Sequence, residues 1–139
     1  MSKSKRSAAP PAPPEFCIDR NLGRTVPARL AELGWKVHLI AEVFPNDAQE
    51  IPDEEWVEYA LVHGWVPLCK DGRIKGRRHE RAPLEKHKAV LFYLDNQQLR
   101  IDEMVQRIHG ARASIYRACQ RPGPAAHAIG ANGIEKTWP

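Results

Sequence analysis

Short apolar runs alternate with amphipathic segments along most of this chain, and that alternation constrains the fold more than any other feature. Phe16-Cys17-Ile18, closed by Asp19, reads as a buried strand whose next residue emerges at the sheet edge. Leu22, Val26, Leu30 and Leu33 then recur at helical spacing before Gly34, the pattern of an amphipathic helix with its stop signal. Residues 36–40 read as a second strand. Pro52-Asp53-Glu54-Glu55 opens a helix carrying Trp56, Val57, Ala60 and Leu61, with acids in the first turn where the helix dipole favours them. Gly64 ends that helix, residues 65–69 read as a third strand, and Lys70-Asp71-Gly72 breaks it. A fourth strand is expected at 89–94 and one long helix at 99–119, with Ile101, Met104, Val105, Ile108, Ile115 and Tyr116 on it. Asn132-Gly133, between 126–129 and 134–138, predicts a hairpin with a type I′ turn that extends one sheet edge. Strands alternating with helices predict an α/β fold of three layers, α/β/α, around a mainly parallel sheet with a C-terminal hairpin.

The length of 139 residues and the 42% hydrophobic content fit one domain, placed at residues 15–139. Residues 1–14 hold Lys3, Lys5, Arg6 and four prolines but no aromatic residue, so a disordered Pro/Ala-rich tail is expected there. That tail lacks the apolar core of an export signal, and no apolar run approaches the ~18 residues of a membrane span. Cys17, Cys69 and Cys119 form neither a CxxC pair nor a disulfide framework, which fits a reducing cytoplasm. Three of the four net positive charges belong to the tail, so the distribution of charge says more than its total.

Ligands of open α/β sheets bind beyond the carboxyl ends of the strands, and three acids map there. Asp19 ends the first strand, Asp71 follows the third after one residue, and Asp53 begins the helix between the second and third. Converging carboxylates repel one another, and a hard divalent cation, Mg²⁺ or Mn²⁺, relieves the repulsion through oxygen ligands. Such an ion suits phosphodiester hydrolysis. Each acid also has an ordinary local role: Asp53 as a helix N-cap, Asp71 in a turn, Asp19 as a cap of the following segment. Between Lys70 and Lys88 eight Lys/Arg face three acids, a local excess of five positive charges that would hold a polyanion beside the metal. The stretch from Glu42 to Glu58 has seven acids and no Lys or Arg, and would suit a basic partner. The six histidines and the cysteines show no zinc spacing, no phosphate-binding glycine loop or nucleophile elbow occurs, and His109 reads as a packing residue.

The string from Phe16 to Arg24, then Ile51-Pro52-Asp53-Glu54-Glu55-Trp56, then Gly64 through Ile74, resembles the PIN-like domain of VapC-type toxins from toxin–antitoxin pairs. Arg121-Pro122-Gly123-Pro124 and Lys136-Thr137-Trp138-Pro139 resemble that group too, so the likeness spans roughly residues 15–139. The resemblance implies a metal-dependent endoribonuclease in the cytoplasm, with RNA as substrate and a cognate antitoxin blocking the site; it leaves a homodimer open and names no membrane partner. By position, Asp19, Asp53 and Asp71 match the metal-holding catalytic acids, with Glu54 as a neighbouring ligand, and Arg20, Lys70, Arg73, Lys75, Arg77 and Arg78 as RNA contacts. Many PIN domains carry a fourth acid soon after the third-strand aspartate. Here that stretch reads Gly72-Arg73-Ile74-Lys75, with Asp95 as the candidate substitute. The competing reading is a non-catalytic PIN-like module that binds RNA or protein without cleavage, and a phosphoaspartate receiver is disfavoured because Asp19 stands alone at the first strand.

Overall fold

The computed structural model describes residues 12–44 and 51–139, with the side chain of Lys75 outside that description. Residues 1–11 of the expected tail, and Asp47 and Glu50 of the acidic stretch, also lie outside it. Six strands, β1 (Glu15–Ile18), β2 (Lys36–Leu39), β3 (Val66–Cys69), β4 (Val90–Leu94), β5 (Ala125–Gly130) and β6 (Gly133–Trp138), form one sheet in the order β2-β1-β3-β4-β5-β6. The first five pair in parallel and β6 pairs antiparallel with β5. Because the chain moves outward from β1 to β2 and then crosses to β3 on the other flank, strand order reverses between β1 and β3. A crevice opens at such a switch point, beyond the strand ends.

Parallel strands need crossovers, and the helices that supply them cover both faces. α1 (Thr25–Glu32), α6 (Ile101–Gly110) and α7 (Arg112–Cys119) pack Val26, Leu30, Met104, Ile108 and Ile115 against Phe16, Ile18, Phe92 and Leu94. On the other face α3 (Asp53–Val62) and α5 (Arg78–His87) pack Trp56, Val57, Ala60 and Leu84 against Cys17, Cys69, Leu91 and Tyr93. Successive residues of β4 alternate between the two cores, as a period of two demands of a strand buried on both sides. This is the expected three-layer α/β architecture.

Several local expectations are corrected. The segment after β3 is helical: a short α4 (Arg73–Gly76) and then α5 carry the crossover to β4. It escaped periodicity because its buried face is only Ile74, Glu80, Pro83 and Leu84, too sparse a stripe to register. A four-residue helix, α2 (Ile40–Val43), follows β2 for the same reason. The expected long helix is interrupted at Ala111, although Met104, Ile108, Ala111, Ile115 and Ala118 remain on one buried face across the break. Gly110, the last residue of α6, has low helix propensity and weakens the helix just before the break. Leu33 is 44% exposed, so the α1 stripe ends at Leu30. The hairpin forms, but Gly130 pairs with Gly133 and its tip is Ala131-Asn132. Gly133 alone takes a positive φ, of 134°, whereas a type I′ turn centred on Asn132-Gly133 would require one at Asn132 as well.

Candidate active site at the sheet's switch point

Asp19 is fixed by the sheet itself. Its backbone N–H donates to Leu68 O at 3.0 Å, carrying the β1–β3 ladder one residue past β1, and its Oδ1 accepts the N–H of Asn21 at 3.2 Å. The second bond starts a 3-10 turn, Arg20–Leu22, that leads the chain away from the crevice. The capping role expected of Asp19 is thus real and coexists with its place at the strand end.

Asp71 lies two residues beyond β3, where its Oδ1 accepts the backbone N–H of Arg73 at 3.0 Å and fixes the turn. Arg73 also folds its guanidinium onto the same carboxylate, with Nε at 3.1 and 3.2 Å from the two oxygens and Nη2 at 3.1 Å from Oδ2. Gly72 makes this placement possible, because a Cβ there would stand 2.6 Å from the Tyr93 ring. Asp53 is the first residue of α3; Pro52 occupies the cap position, and Asp53 Oδ1 instead accepts Trp56 Nε1–H at 3.0 Å. Trp56 is only 2% exposed, so the core holds Asp53 through that indole.

The three carboxylates share one electrostatic field. Burial, reinforced by the charges of Asp53 and Asp71, pushes the Asp19 carboxyl from 3.8 up to about 6, against the lowering effect of the Asn21 and Lys70 backbone N–H groups. The Arg73 guanidinium is correspondingly held charged by Asp71 first, then by Asp53 and Asp19. Beneath the acids, burial pushes the Cys17 thiol up to about 12, and the fully buried Cys69 thiol well above its usual value. Both sulfurs are therefore held as protonated thiols, not reactive thiolates, at neutral pH. The charged groups that act on one another here are the three carboxylates, so the site is anionic and oxygen-rich. Two depressions flank Asp19, Arg20 and Asn21; the smaller, of about 150 Å³, is also walled by Ile40, Ile51, Asp53 and Trp56.

The other expected residues divide. Arg20 lies exposed at the mouth of both depressions. Lys70 is half-buried and Arg78 exposed, while Arg77 pairs with Glu80 at 3.2 Å. Lys86 pairs with Glu58 at 3.0 Å, so the basic segment is more neutralised than its sequence charge suggests. Asp95, the candidate fourth acid, binds Arg107 at 2.8 Å, and the charges that raise Asp19 are those of Asp53 and Asp71. His109 accepts Trp35 Nε1–H at 3.0 Å and is a packing residue, as expected.

Glu54 points to a different neighbourhood. Its Oε2 is 3.8 Å from His79 Nε2, and among the described residues the set of three whose ligand atoms all lie within 4.8 Å of one another is Glu54, His79 and Glu80. Nothing in the sequence foreshadows this grouping, because residue 54 meets residues 79 and 80 only once the missed α5 packs beside α3.

The profile of the family described as "PIN like domain" matches residues 14–96, which contain all three aspartates. A relative described as "Putative ribonuclease VapC45", from Mycobacterium tuberculosis (strain ATCC 25618 / H37Rv), is 27% identical over 114 residues, covering 81% of this chain and 83% of its own length. No solved structure matches the chain.

Proposed function

The chain belongs to the PIN-like domain family, and from that premise we propose that it is a metal-dependent endoribonuclease, the toxin of a toxin–antitoxin pair. The observation that carries this reading is the convergence of Asp19, Asp53 and Asp71, from three different elements, at the switch point of the sheet. The name of the mycobacterial relative supports RNA cleavage as the activity.

The chemistry of the three aspartates suits a divalent cation, although their ligand atoms do not all stand within 4.8 Å of one another and the set must close in to share one. The Asp19 carboxyl, held up at about 6 by burial and two like charges, is the kind of group that a cation relieves. Asp19 Oδ1 accepts the Asn21 N–H and Asp53 Oδ1 accepts the Trp56 indole N–H, bonds that orient the two carboxylates. Both oxygens of Asp71 are taken by Arg73, whose guanidinium must swing aside or share the carboxylate. Mg²⁺ or Mn²⁺ held by these three acids supplies Lewis acidity toward the phosphate and the attacking water. The chain's own residues do the rest. Trp56 holds Asp53 in orientation through the indole N–H, and Gly72 seats the Asp71 turn on Tyr93. Arg20 stands where an RNA phosphate would enter, and Lys70, Arg73, Lys75, Arg77 and Arg78 follow along the segment after β3 as the phosphate-holding groups. A cognate antitoxin would act by covering this edge.

The test is cleavage of a mixed RNA substrate by the purified full chain with Mg²⁺, Mn²⁺ or EDTA, beside Asp19→Asn and Asp71→Asn. Metal-dependent cutting that both substitutions abolish is expected. A folded, partner-free chain that cuts nothing with either metal would overturn this reading and favour the non-catalytic RNA- or protein-binding module.

A further inference from the structure

We infer that Glu54, His79 and Glu80 form a second divalent-cation site, built for a transition ion such as Zn²⁺ and separate from the aspartate set. Its donors are two carboxylates and one imidazole. That mixture suits zinc-like ions rather than Mg²⁺, which takes oxygen ligands almost alone.

Glu80 makes this more than a chance meeting of surface acids. It is 6% exposed, and its Oε2 is engaged by Arg77, yet its Oε1 is buried without any hydrogen-bond partner. A buried carboxylate oxygen lacking a donor is costly, and native structures rarely leave one so. One oxygen of the same carboxylate lies within 4.8 Å of both a Glu54 oxygen and a His79 nitrogen, so a cation placed among the three would bind a carboxylate that has an unpartnered oxygen to offer. Donor atoms around a tetrahedral ion at ~2.0–2.2 Å stand closer together than this, so the set must contract. The side chains of His79 and Glu54, 69% and 36% exposed, have the freedom to do so while Glu80 stays anchored. Solvent completes the coordination from the exposed side.

The position gives the site a purpose. Glu54 is in the first turn of α3 and His79 and Glu80 in the first turn of α5, two helices packed together. Farther along the pair, Glu58 already ties α3 to Lys86 and His87 of α5, each at 3.0 Å. An ion at the other end would clamp the start of α3, and Asp53 is the residue before Glu54. Occupancy would thereby stiffen one of the three aspartates without contributing to its ligand set.

The experiment is calorimetric titration of zinc chloride into the EDTA-stripped full chain carrying Asp19→Asn and Asp71→Asn, which disable the aspartate set. Cleavage is not the readout, so the result stands whether or not the ribonuclease reading does. One zinc per chain is expected to bind this background, with affinity falling at least about tenfold on adding His79→Ala or Glu80→Gln, since even outer-sphere changes around a metal cost ~10–100-fold and here a ligand is lost. Zinc should also raise the melting temperature of the background chain and not that of the His79→Ala form. His79 is exposed, so that substitution leaves folding intact even where Glu80→Gln does not. Absence of zinc binding in the background, or equal affinity with His79→Ala, overturns the inference.

Discussion

Asp19 and Glu58 are both carboxylates within reach of several charged neighbours, and the fold treats them in opposite ways. Glu58 receives Lys86 Nζ and His87 Nε2 on one oxygen, and those hydrogen bonds, His87 first, hold its carboxyl below the usual range. Asp19 is desolvated beside two like charges, and the backbone N–H groups of Asn21 and Lys70 offset this only in part, so its carboxyl sits at about 6. One acid is locally satisfied and ties two helices together. The other is held in a form that the metal-free fold disfavours, which is what a binding site looks like when its ligand supplies the missing charge.

The sharpest way to break that contrast is Asp19→Asn. RNA cleavage should fall well beyond the ~10–100-fold that outer-sphere changes around a metal cost, because a ligand is lost. Stability should move the other way. A carboxyl whose folded pKa is raised from 3.8 to about 6 destabilises the fold above pH 6, and the penalty disappears as pH falls through 6 toward 4. Asn removes the charge, keeps an oxygen for the Asn21 N–H, and should stabilise the metal-free chain at pH 7 by about 2–3 kcal/mol. Denaturant melts of both forms at pH 7, 5 and 4 check this: the gap should shrink to roughly half at pH 5 and nearly close at pH 4. A variant less stable than the parent at pH 7 would show that Asp19 is structurally satisfied like Glu58.

Gly72→Ala tests the placement of the same site through packing alone. The added Cβ would meet the Tyr93 ring at 2.6 Å, and that ring is buried with its hydroxyl 2.8 Å from Thr137 Oγ1, so the Asp71 turn must move. A loss of about 1–3 kcal/mol is expected from the overpacking. Cleavage at saturating metal should fall by more than the fraction unfolded, as measured by circular dichroism beside the assay.

The acids of this site were legible because they hang on the strongest signals in the chain. Asp19 and Asp71 follow dense apolar runs that become β1 and β3, and Asp53 follows a proline at a helix start. Strand ends found that way already imply a shared edge, and the structure and its family placement agree with the α/β/α reading. What the sequence hid depends on contacts between distant segments. The segment from Lys70 to Lys88 reads as a solvated basic loop because α5 buries only three of its side chains, so neither its helicity nor the pairing of Arg77 and Lys86 with acids was visible. The Glu54–His79–Glu80 group was hidden for the same reason. The interruption at Ala111 was masked by an apolar stripe that continues across it, and the hairpin tip shifted by one residue because Gly133 alone takes the positive φ.

Glu58→Gln should give the smallest effect and so closes the contrast from the other side. The side chains of Glu58 and Lys86 are 33% and 67% exposed, so water and salt screen much of what the pKa shift reports, and His87 adds charge only when protonated. A loss under about 1 kcal/mol at pH 7 is expected, shrinking as ionic strength rises. The lowered carboxyl fixes the sign of its pH dependence. Its contribution is present above the ordinary glutamate range and is lost as pH falls through the folded value, the reverse of Asp19. Parent and Glu58→Gln melting curves should therefore converge only below the ordinary glutamate range, while the gap between parent and Asp19→Asn already narrows from pH 6 down toward pH 4. Since Glu58 ties α3 to α5 away from the aspartates, its removal should leave the metal dependence of cleavage as in the parent, and a shift in that dependence would show that the helix pair transmits strain to Asp53.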